Sequence, residues 1–190
     1  MKVVLKNVRL AFPQLFEPKA FGETTPAFSA TFLIDPVENK DALESVKAAI
    51  AQVATEKWGT KSSEMLTMLK AQNKLCLHDG AEKAKYDGFM GNLFISARSE
   101  TAPGVFDNKK DASGTLVRLQ QRDGKPYAGC YVNASIDIWV QANTFGTRIN
   151  AALLGVQFHR DGDAFGGSRP SDGTEFEEFA TAGSSVDDLF

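Results

Sequence analysis

The chain has 190 residues, of which 43% are hydrophobic and 24% are charged, and its formal net charge is −3. These values are ordinary for a globular protein with one good-sized core, so one domain plus a tail is the simplest organisation. No apolar run approaches the roughly 18 residues that span a bilayer. Because Lys2, Lys6 and Arg9 interrupt the amino-terminal stretch, we expect no signal peptide, no membrane association and a cytoplasmic location.

The first third of the chain begins with two predicted strands. Alternating Val and Leu residues predict a strand over residues 3–12, which Pro13 and Pro18 are expected to end. A second strand is predicted over residues 27–34, with its apolar residues on one face and an Asp-Pro pair after it.

A helical pair is predicted next. Over residues 40–58 the apolar residues recur at helical spacing, and Gly59 is a natural stop. A shorter helix follows, with Ser62 or Ser63 as its cap.

The second half of the chain returns to strand patterns. Residues 79–92 are expected to form a loop, residues 92–99 a strand, and residues 101–114 an irregular connection. Residues 116–121 then lead to Asp123-Gly124, a dipeptide that favours the two-residue turn of a hairpin. The predicted return strand covers residues 128–142, and a last strand covers residues 148–158.

These elements predict a β-rich α+β fold. A small Greek-key barrel, with the helical pair inserted early, is the most economical closure for six to seven short strands. The folded domain is expected to cover residues 1–162, followed by a disordered acidic tail over residues 163–190.

The residues that could carry catalysis or bind a metal are few. His78 and His159 are the only histidines, and neither has a ligand partner at metal-type spacing. Cys76 and Cys130 lie in apolar contexts and are expected to be buried free thiols. Neither a glycine-rich phosphate loop nor a nucleophile elbow is present. We therefore expect no enzyme activity, no metal and no cofactor.

The predicted long strand has an unusual solvent-facing side. Its alternate residues place Tyr131 and Trp139 among polar side chains, opposite an apolar face that must be the core. The strand at residues 92–99 places Phe94 and Arg98 together in a similar way. A cover over Tyr131 and Trp139, by the helical pair or a second subunit, is the structural alternative.

A sheet surface on which aromatic rings alternate with Lys and Arg side chains suits single-stranded nucleic acid. The nucleobases stack on the rings, and the cations follow the phosphates. On the first strand, regular alternation places Lys2 and Lys6 on one side and Arg9 on the other. The candidate single-stranded DNA (ssDNA) contacts are Lys2, Lys6, Phe12, Lys83, Lys85, Tyr86, Phe94, Arg98, Tyr131, Trp139 and Arg148.

The charge is distributed unevenly along the chain. Residues 161–190 hold eight acids against one base, a net charge of −7, which leaves +4 for residues 1–160. Such asymmetry is typical of an interaction tail, with a solubilising end as the alternative.

Several blocks together resemble a known family. The run from Tyr127 to Gly167, the block VRLAFPQLFEP near the start and the block from Tyr86 to Asp107 resemble the Enc34-like phage ssDNA-binding proteins. The resemblance implies an OB-fold that binds ssDNA without base specificity in replication or recombination, inside an infected or lysogenic bacterial cell. It also implies that Asp187, Asp188, Leu189 and Phe190 recruit replication proteins (polymerase, helicase/primase or nuclease), and it is compatible with a homodimer.

Two other functions fit the same residues. A net charge of only +4 on the body is weak for a nucleic-acid binder, which favours a protein-interaction adaptor. A single-stranded RNA-binding protein is the closer alternative, because stacking tolerates either backbone.

Overall fold

The computed structural model describes residues 1–20, 25–144 and 146–166. The strands and α-helices within these residues are β1 Lys2–Lys19, β2 Ala27–Ile34, α1 Lys40–Trp58, α2 Ser62–Ala71, β3 Leu77–Asp79, β4 Leu93–Ser99, β5 Gly104–Lys110, β6 Leu116–Arg118, β7 Tyr131–Asn143 and β8 Gly146–Arg160. Within the described ranges, no helix combines the length and apolar character that a membrane crossing requires.

Five of the strands close into a barrel in the order β1-β2-β4-β8-β7. Antiparallel pairing joins β1 to β2, β2 to β4, β7 to β8 and β7 back to β1. The parallel contact of Arg98 in β4 with Ala152 in β8 completes the ring. This is the five-stranded Greek-key barrel of an OB-fold, and it confirms the predicted fold class.

The core fills the barrel and continues under the helical pair. On β7, the inward residues Val132, Ala134, Ile136 and Ile138 are all buried, as the strand alternation predicts. One face of α1, which includes Val46, belongs to the same cluster and packs against β1 and β7. Each fully buried aliphatic side chain of this kind contributes about 1.5–3 kcal/mol relative to exposure.

The helical pair forms where helical spacing predicts it, but β1 does not end at its prolines. The strand continues through Pro13 and Pro18 to Lys19. Its register with β2 shifts between Ala11 and Gln14 and again between Gln14 and Lys19. Because a proline has no N–H to donate to a sheet, it is tolerated in a strand at such irregularities.

The predicted hairpin between residues 116–121 and 128–142 is wrong. Strand β6 pairs with β5, which lies in the stretch expected to be irregular. Asp123-Gly124 instead closes a short 3-10 turn, in which Asp123 accepts a hydrogen bond from the Gln120 N–H and Gly124 has a φ of 66°. A dipeptide that suits positive φ predicts a turn, but it does not specify which strands pair across it.

Both cysteines are buried free thiols, as their apolar contexts predict. Burial raises the pKa of the Cys76 thiol to about 12 and that of Cys130 to about 11. Such thiols are protonated and unreactive at neutral pH.

Candidate nucleic-acid interface

A groove of about 450 Å³ lies on the outer surface where β4, β7 and β8 meet. Trp139 lies in it with 42% of its surface exposed, and Arg98 and Arg148 line it as well. We call this the Trp139 groove. Its other polar lining residues are Asn73, Lys74, His78, Ser96, Ser99, Glu100, Gln141 and Asn150.

The strand register explains how these side chains meet. Trp139 lies opposite Asn150 and Gln141 opposite Arg148 in the β7–β8 pair, so all four point outward. The Asn150 amide donates to the Gln141 Oε1 at 2.9 Å, and this hydrogen bond orients both polar side chains beside the Trp139 ring. The groove thus combines an exposed aromatic ring with fixed polar groups.

Arg98 connects the groove to the loop between β1 and β2. Its guanidinium donates to the carbonyl of Thr25. On the other side, Gln141 and Arg148 flank the β7–β8 turn. The groove therefore lies on the third, fourth and fifth barrel strands, β4, β7 and β8, between the β1–β2 loop and the β7–β8 turn. The corresponding two loops bind oligonucleotides in OB-folds.

His78 extends the groove toward a group of aromatic residues. Its ring stacks on Phe94 at 5.1 Å between centroids, and its Nδ1 lies 2.8 Å from the Oδ1 of Asn73. Burial lowers the pKa of His78, and Lys83 and Arg148 act in the same direction, whereas Glu82 opposes them. His78 is not among the nucleic-acid contacts predicted from the sequence. The signal that could have placed it in the groove is its strand pairing with Phe94, which needs the fold.

The described residues contain no cluster of three or more His, Cys, Asp or Glu side chains that could hold a metal ion.

A second set of rings lies around Phe94 of β4, next to His78, with Lys83 among them. We call Phe12, Lys83, Tyr86, Phe89 and Phe94 the aromatic cluster. Phe12 meets Tyr86 edge-on at 5.1 Å. The Lys83 ammonium lies 4.7 Å from the Phe94 ring centroid and 5.8 Å from that of Phe12. Phe12 is 43% exposed and Tyr86 is 41% exposed, so both present ring surface to solvent beside a cation.

Phe94 does not have the open face that the alternation of β4 predicts. It is only 3% exposed, because Phe89 from the loop after β3 packs against it at 5.3 Å and His78 stacks on it. Its ring is therefore not available to a base in this conformation.

An apolar pocket of about 260 Å³ adjoins the aromatic cluster. Phe12, Tyr86 and Phe89 form part of its wall, and Lys85 lies at its edge with its ammonium 5.0 Å from the Tyr86 centroid. Phe165 also lines this pocket. The predicted contacts Phe12, Lys83, Lys85 and Tyr86 are therefore brought together on one surface.

Tyr131 lies on the outer face of β7, as predicted, but its ring is covered. The Arg160 guanidinium lies 3.4 Å from the ring centroid, and Arg9 lies 5.7 Å away. Gly162 packs on the ring edge so closely that a Cβ there would lie 3.0 Å from a ring carbon. Within the chain, the cover comes from these residues and not from the helical pair.

Arg9 reaches this face because of a bulge, and its predicted position on the opposite side from Lys2 and Lys6 is wrong. The register of β1 with β7 shifts between Leu5 and Val8, and Asn7 has a φ of 51°. One extra residue in a strand reverses the alternation after it. Arg9 therefore pairs with Tyr131 on the outer face.

The chain after β8 is fastened to this surface. Arg9 donates from Nη2 to the Asp163 carbonyl at 2.8 Å, and its guanidinium lies 4.5 Å from the Phe165 centroid. The Phe165 N–H donates to the Ala128 carbonyl. The chain thus stays on the barrel as far as Gly166, beyond the predicted domain boundary at residue 162.

Lys2 and Lys6 lie apart from the groove and the aromatic cluster. Lys2 pairs with Asp137, whose carboxylate lies 2.6 Å from the Met1 amino group. Lys6 lines a hollow beside the start of α1. The structure thus groups Arg98, Trp139 and Arg148 in one place and separates these two lysines from them. The predicted tail contacts Asp187, Asp188, Leu189 and Phe190 lie outside the described residues.

Two sequence comparisons identify relatives of this chain. Residues 1–189 match the family described as the ssDNA-binding protein of Enterobacter phage Enc34. Protein p50 of Acyrthosiphon pisum secondary endosymbiont phage 1 is 42% identical over 185 residues, covering 96% of each chain.

Solved structures share the fold. The Enc34 protein in complex with ssDNA superposes with a TM-score of 0.70 at 23% identity, covering 87% of this chain and 89% of that chain. Its C-terminal truncation gives 0.65 at 25% identity, with 86% and 88% covered. The T7 ssDNA-binding protein gp2.5 gives 0.50 at 9% identity, with 86% and 92% covered. The match over nearly the whole length shows that this chain belongs to the Enc34 ssDNA-binding protein family.

Proposed function

We propose that this protein binds ssDNA without base specificity, through the Trp139 groove and the exposed rings of the aromatic cluster. The observation that carries the proposal is the exposed Trp139 ring beside Arg98 and Arg148, between the two loops where OB-folds bind oligonucleotides. Membership of the Enc34 family, whose eponymous protein has been solved with ssDNA, supports it.

The chemistry of the groove suits a flexible polyanion. A base stacked on Trp139 contributes about 1–3 kcal/mol whatever its identity, because every base has a flat face. Arg98 and Arg148 supply positive charge for the phosphates beside that base. A stacking ring flanked by cations makes no specific hydrogen bonds to the edges of the bases. Binding is therefore insensitive to sequence.

The two surfaces are connected through the β3–β4 pair. His78 lines the Trp139 groove and stacks on Phe94, and Phe94 lies under the Lys83 ammonium. Lys83 in turn approaches the exposed ring of Phe12. A single strand that leaves the groove past His78 would therefore reach a second cation and a second ring, and it would pass Glu82, which lies 3.6 Å from His78.

We also propose that the acidic tail competes with DNA. Residues 161–190 carry −7 and the remaining chain +4, so the tail is a polyanion tethered to a basic body. The last described residue, Gly166, lines the pocket beside the aromatic cluster, which brings the tail to the proposed DNA path. DNA would then free Leu189 and Phe190 to recruit phage replication or recombination proteins. Nothing among the described residues requires a second copy of the chain, so a homodimer is not part of the proposal.

Tryptophan fluorescence tests the position of the site. The chain has two tryptophans, and Trp58 lies at the end of α1, partly buried against the core. We expect oligo-dT to quench the emission of the wild type and of Trp58→Phe, and to leave that of Trp139→Phe unchanged. The reverse pattern would move the site to the helical pair.

A titration with three nucleic acids separates the candidate functions. We expect ssDNA to bind with an affinity that falls with salt, with a log–log slope of about −0.7 per phosphate contacted. Arg148→Gln should make that slope shallower, whereas Lys57→Gln on the exposed side of α1 should not. Equal binding of single-stranded RNA would broaden the function. Failure to bind ssDNA, duplex DNA and RNA alike would favour the protein-interaction adaptor.

A further inference from the structure

The hairpin of β5 and β6 projects from the barrel as an arm. Its root joins the barrel, where Gly104, Val105 and Phe106 pair in parallel with β8 and hydrogen bonds from Gln157 to Asp107 and from Asn108 to His159 extend the contact. Val105 is buried there, whereas Lys109, Lys110 and Arg118 farther along the arm are exposed. Strand β6 pairs with β5 and forms one edge of the sheet. The arm contributes few buried side chains to the core, so packing against the core does not explain why these exposed basic residues are present.

The tip of the arm is organised by its own hydrogen bonds. The Asp111 carboxylate accepts hydrogen bonds from the N–H groups of Ser113 and Thr115 and from the Ser113 hydroxyl at 2.6 Å. Asp107, the other acid of the arm, accepts from the Asn108 N–H. Both carboxylates are therefore used within the backbone of the arm. The hairpin is built as a defined surface, not as a loose connection.

The basic side chains of the arm are accessible to an external partner. Across the described part of the chain, the ion pairs involve none of Lys109, Lys110 and Arg118. Arg118 instead approaches an aromatic ring, since its guanidinium lies 5.9 Å from the Phe106 centroid. Three exposed cations beside a half-buried ring repeat the chemistry of the Trp139 groove on a separate element.

The Phe106 side chain lies on the outer surface of the sheet. Its ring lies over Gly104, where an added Cβ would come within 2.6 Å of a ring carbon. In the parallel pair with β8, Phe106 is in register with Gln157, which pairs in turn with Asn133 on the outer face of β7. Trp139 is on that same face of β7. The two rings therefore share one continuous surface.

The spacing of the two rings suits one strand of nucleic acid. Trp139 lies opposite Asn150, and Phe106 is in register with Gln157, seven residues along β8. At about 3.3 Å per residue this separation is on the order of 20 Å. Asp137 lies between them, and its charge is offset by the Met1 amino group at 2.6 Å.

We propose that the β5–β6 arm is a second ssDNA-binding surface, in which Phe106 stacks on a base and Arg118, Lys109 and Lys110 hold the neighbouring phosphates. The inference rests on the proposed ssDNA binding at the Trp139 groove. A strand seated on Trp139 extends over the outer face of β7 and β8 to the arm. Short oligonucleotides fill the groove alone, and longer ones gain affinity from the arm.

Oligonucleotide length tests the arm separately from the groove. Affinity is measured for oligo-dT of about 6 and about 16 nucleotides, which span the site sizes of OB-folds. We expect Phe106→Leu and Arg118→Gln to weaken binding of the long oligonucleotide about fivefold or more. Binding of the short one should be unchanged. Lys57→Gln, an exposed lysine on α1, is the matched control for the removal of one charge and should affect neither.

The salt dependence provides a second readout. The double change Lys109→Gln and Lys110→Gln should make the log–log slope for the long oligonucleotide shallower by about 0.7 for each phosphate that the arm no longer binds. Thermal unfolding of each variant shows whether the hairpin is intact, and Arg118→Gln removes no buried volume. Wild-type affinity for the long oligonucleotide in folded variants overturns the arm proposal. If wild type binds neither length, the proposed function fails instead.

Discussion

The Arg160 guanidinium lies 3.4 Å from the centroid of the Tyr131 ring, close enough to cover the face that a base would need. Arg160 and Tyr131 lie opposite each other in the β7–β8 pair, so the strand register itself enforces this contact. The Arg160 Nε also donates to the Asn7 Oδ1 at 3.2 Å, which fixes the guanidinium in place. Tyr131 therefore belongs to a packed surface, whereas Trp139 on the same strand stays exposed.

Substitution should separate the roles of Tyr131 and Trp139. Tyr131→Ala removes a ring held by two guanidiniums, and we expect it to lower the free energy of unfolding by about 1–3 kcal/mol with little change in ssDNA affinity. Trp139→Ala should weaken ssDNA binding by about 1–3 kcal/mol and change stability little. Urea unfolding and fluorescence anisotropy of labelled oligo-dT measure the two quantities. A large loss of affinity in Tyr131→Ala at full stability would show that its ring is used by DNA.

The bulge at Asn7 gives a second prediction, about stability. Asn7 has a φ of 51°, a conformation that β-branched residues adopt only at a cost of about 1–2 kcal/mol, and its Oδ1 accepts the Arg160 hydrogen bond. We expect Asn7→Val to lower the urea midpoint clearly. Asn7→Gly should cost less, because it loses only the side-chain hydrogen bond, worth about 0.5–1.5 kcal/mol. Asn7→Asp keeps an acceptor and serves as the control. Equal effects of Val and Gly would mean that φ at this position is not limiting.

That bulge shows where sequence patterns stop being informative. Alternation alone places Lys6 and Arg9 on opposite sides of β1, and one residue with positive φ brings Arg9 to the face of Tyr131. Nothing in the residues around Asn7 marks the extra residue, because Asn is also common in ordinary loops. The inward residues of β7 and the limits of α1 were predictable, because burial imposes a period of two or 3.6 along the sequence itself.

The candidate site follows the same rule. The strand patterns identify Trp139, Arg98 and Arg148 as candidates. These residues line one groove only because β4 contacts β8, a strand about fifty residues later in the chain. The predicted open face of Phe94 is wrong because its cover comes from Phe89 in a loop, where no periodicity relates the two residues. Long-range closure and loop packing are tertiary effects that local patterns do not encode.

The acidic tail gives a prediction about salt. Removing residues 171–190 deletes six acids and no base, so it should tighten binding to oligo-dT at low salt by removing a tethered competitor. The effect should fade as salt is raised and the Debye length falls below about 10 Å. Affinity is measured at low and high salt for both proteins. A control variant in which residues 171–190 are replaced by a Gly/Ser segment of equal length separates the effect of charge from that of chain length. Weaker binding after truncation would contradict the proposed competition.

The last prediction concerns pH and His78. Burial lowers the pKa of this histidine, with Lys83 and Arg148 acting in the same direction and Glu82 at 3.6 Å opposing them, so it is mainly neutral at pH 7. A phosphate in the groove would favour the protonated ring, so binding should take up a proton and ssDNA affinity should rise as pH falls below about 7. The free energy of unfolding should instead decrease as pH falls. Because the folded pKa lies below the unfolded value of about 6.5, the contribution of His78 is present above that pH and is lost as pH falls through the folded pKa.

His78→Asn should remove the affinity change between about pH 7 and pH 5, a range that avoids the ordinary titration of carboxylates. His159→Asn is the control, because His159 is exposed and lies outside the groove, and it should keep the wild-type profile. Anisotropy titrations across this range, with urea unfolding at the same pH values, give both profiles. If His78 only supports Phe94, the stability profile will change in His78→Asn while the affinity of the wild type stays flat with pH.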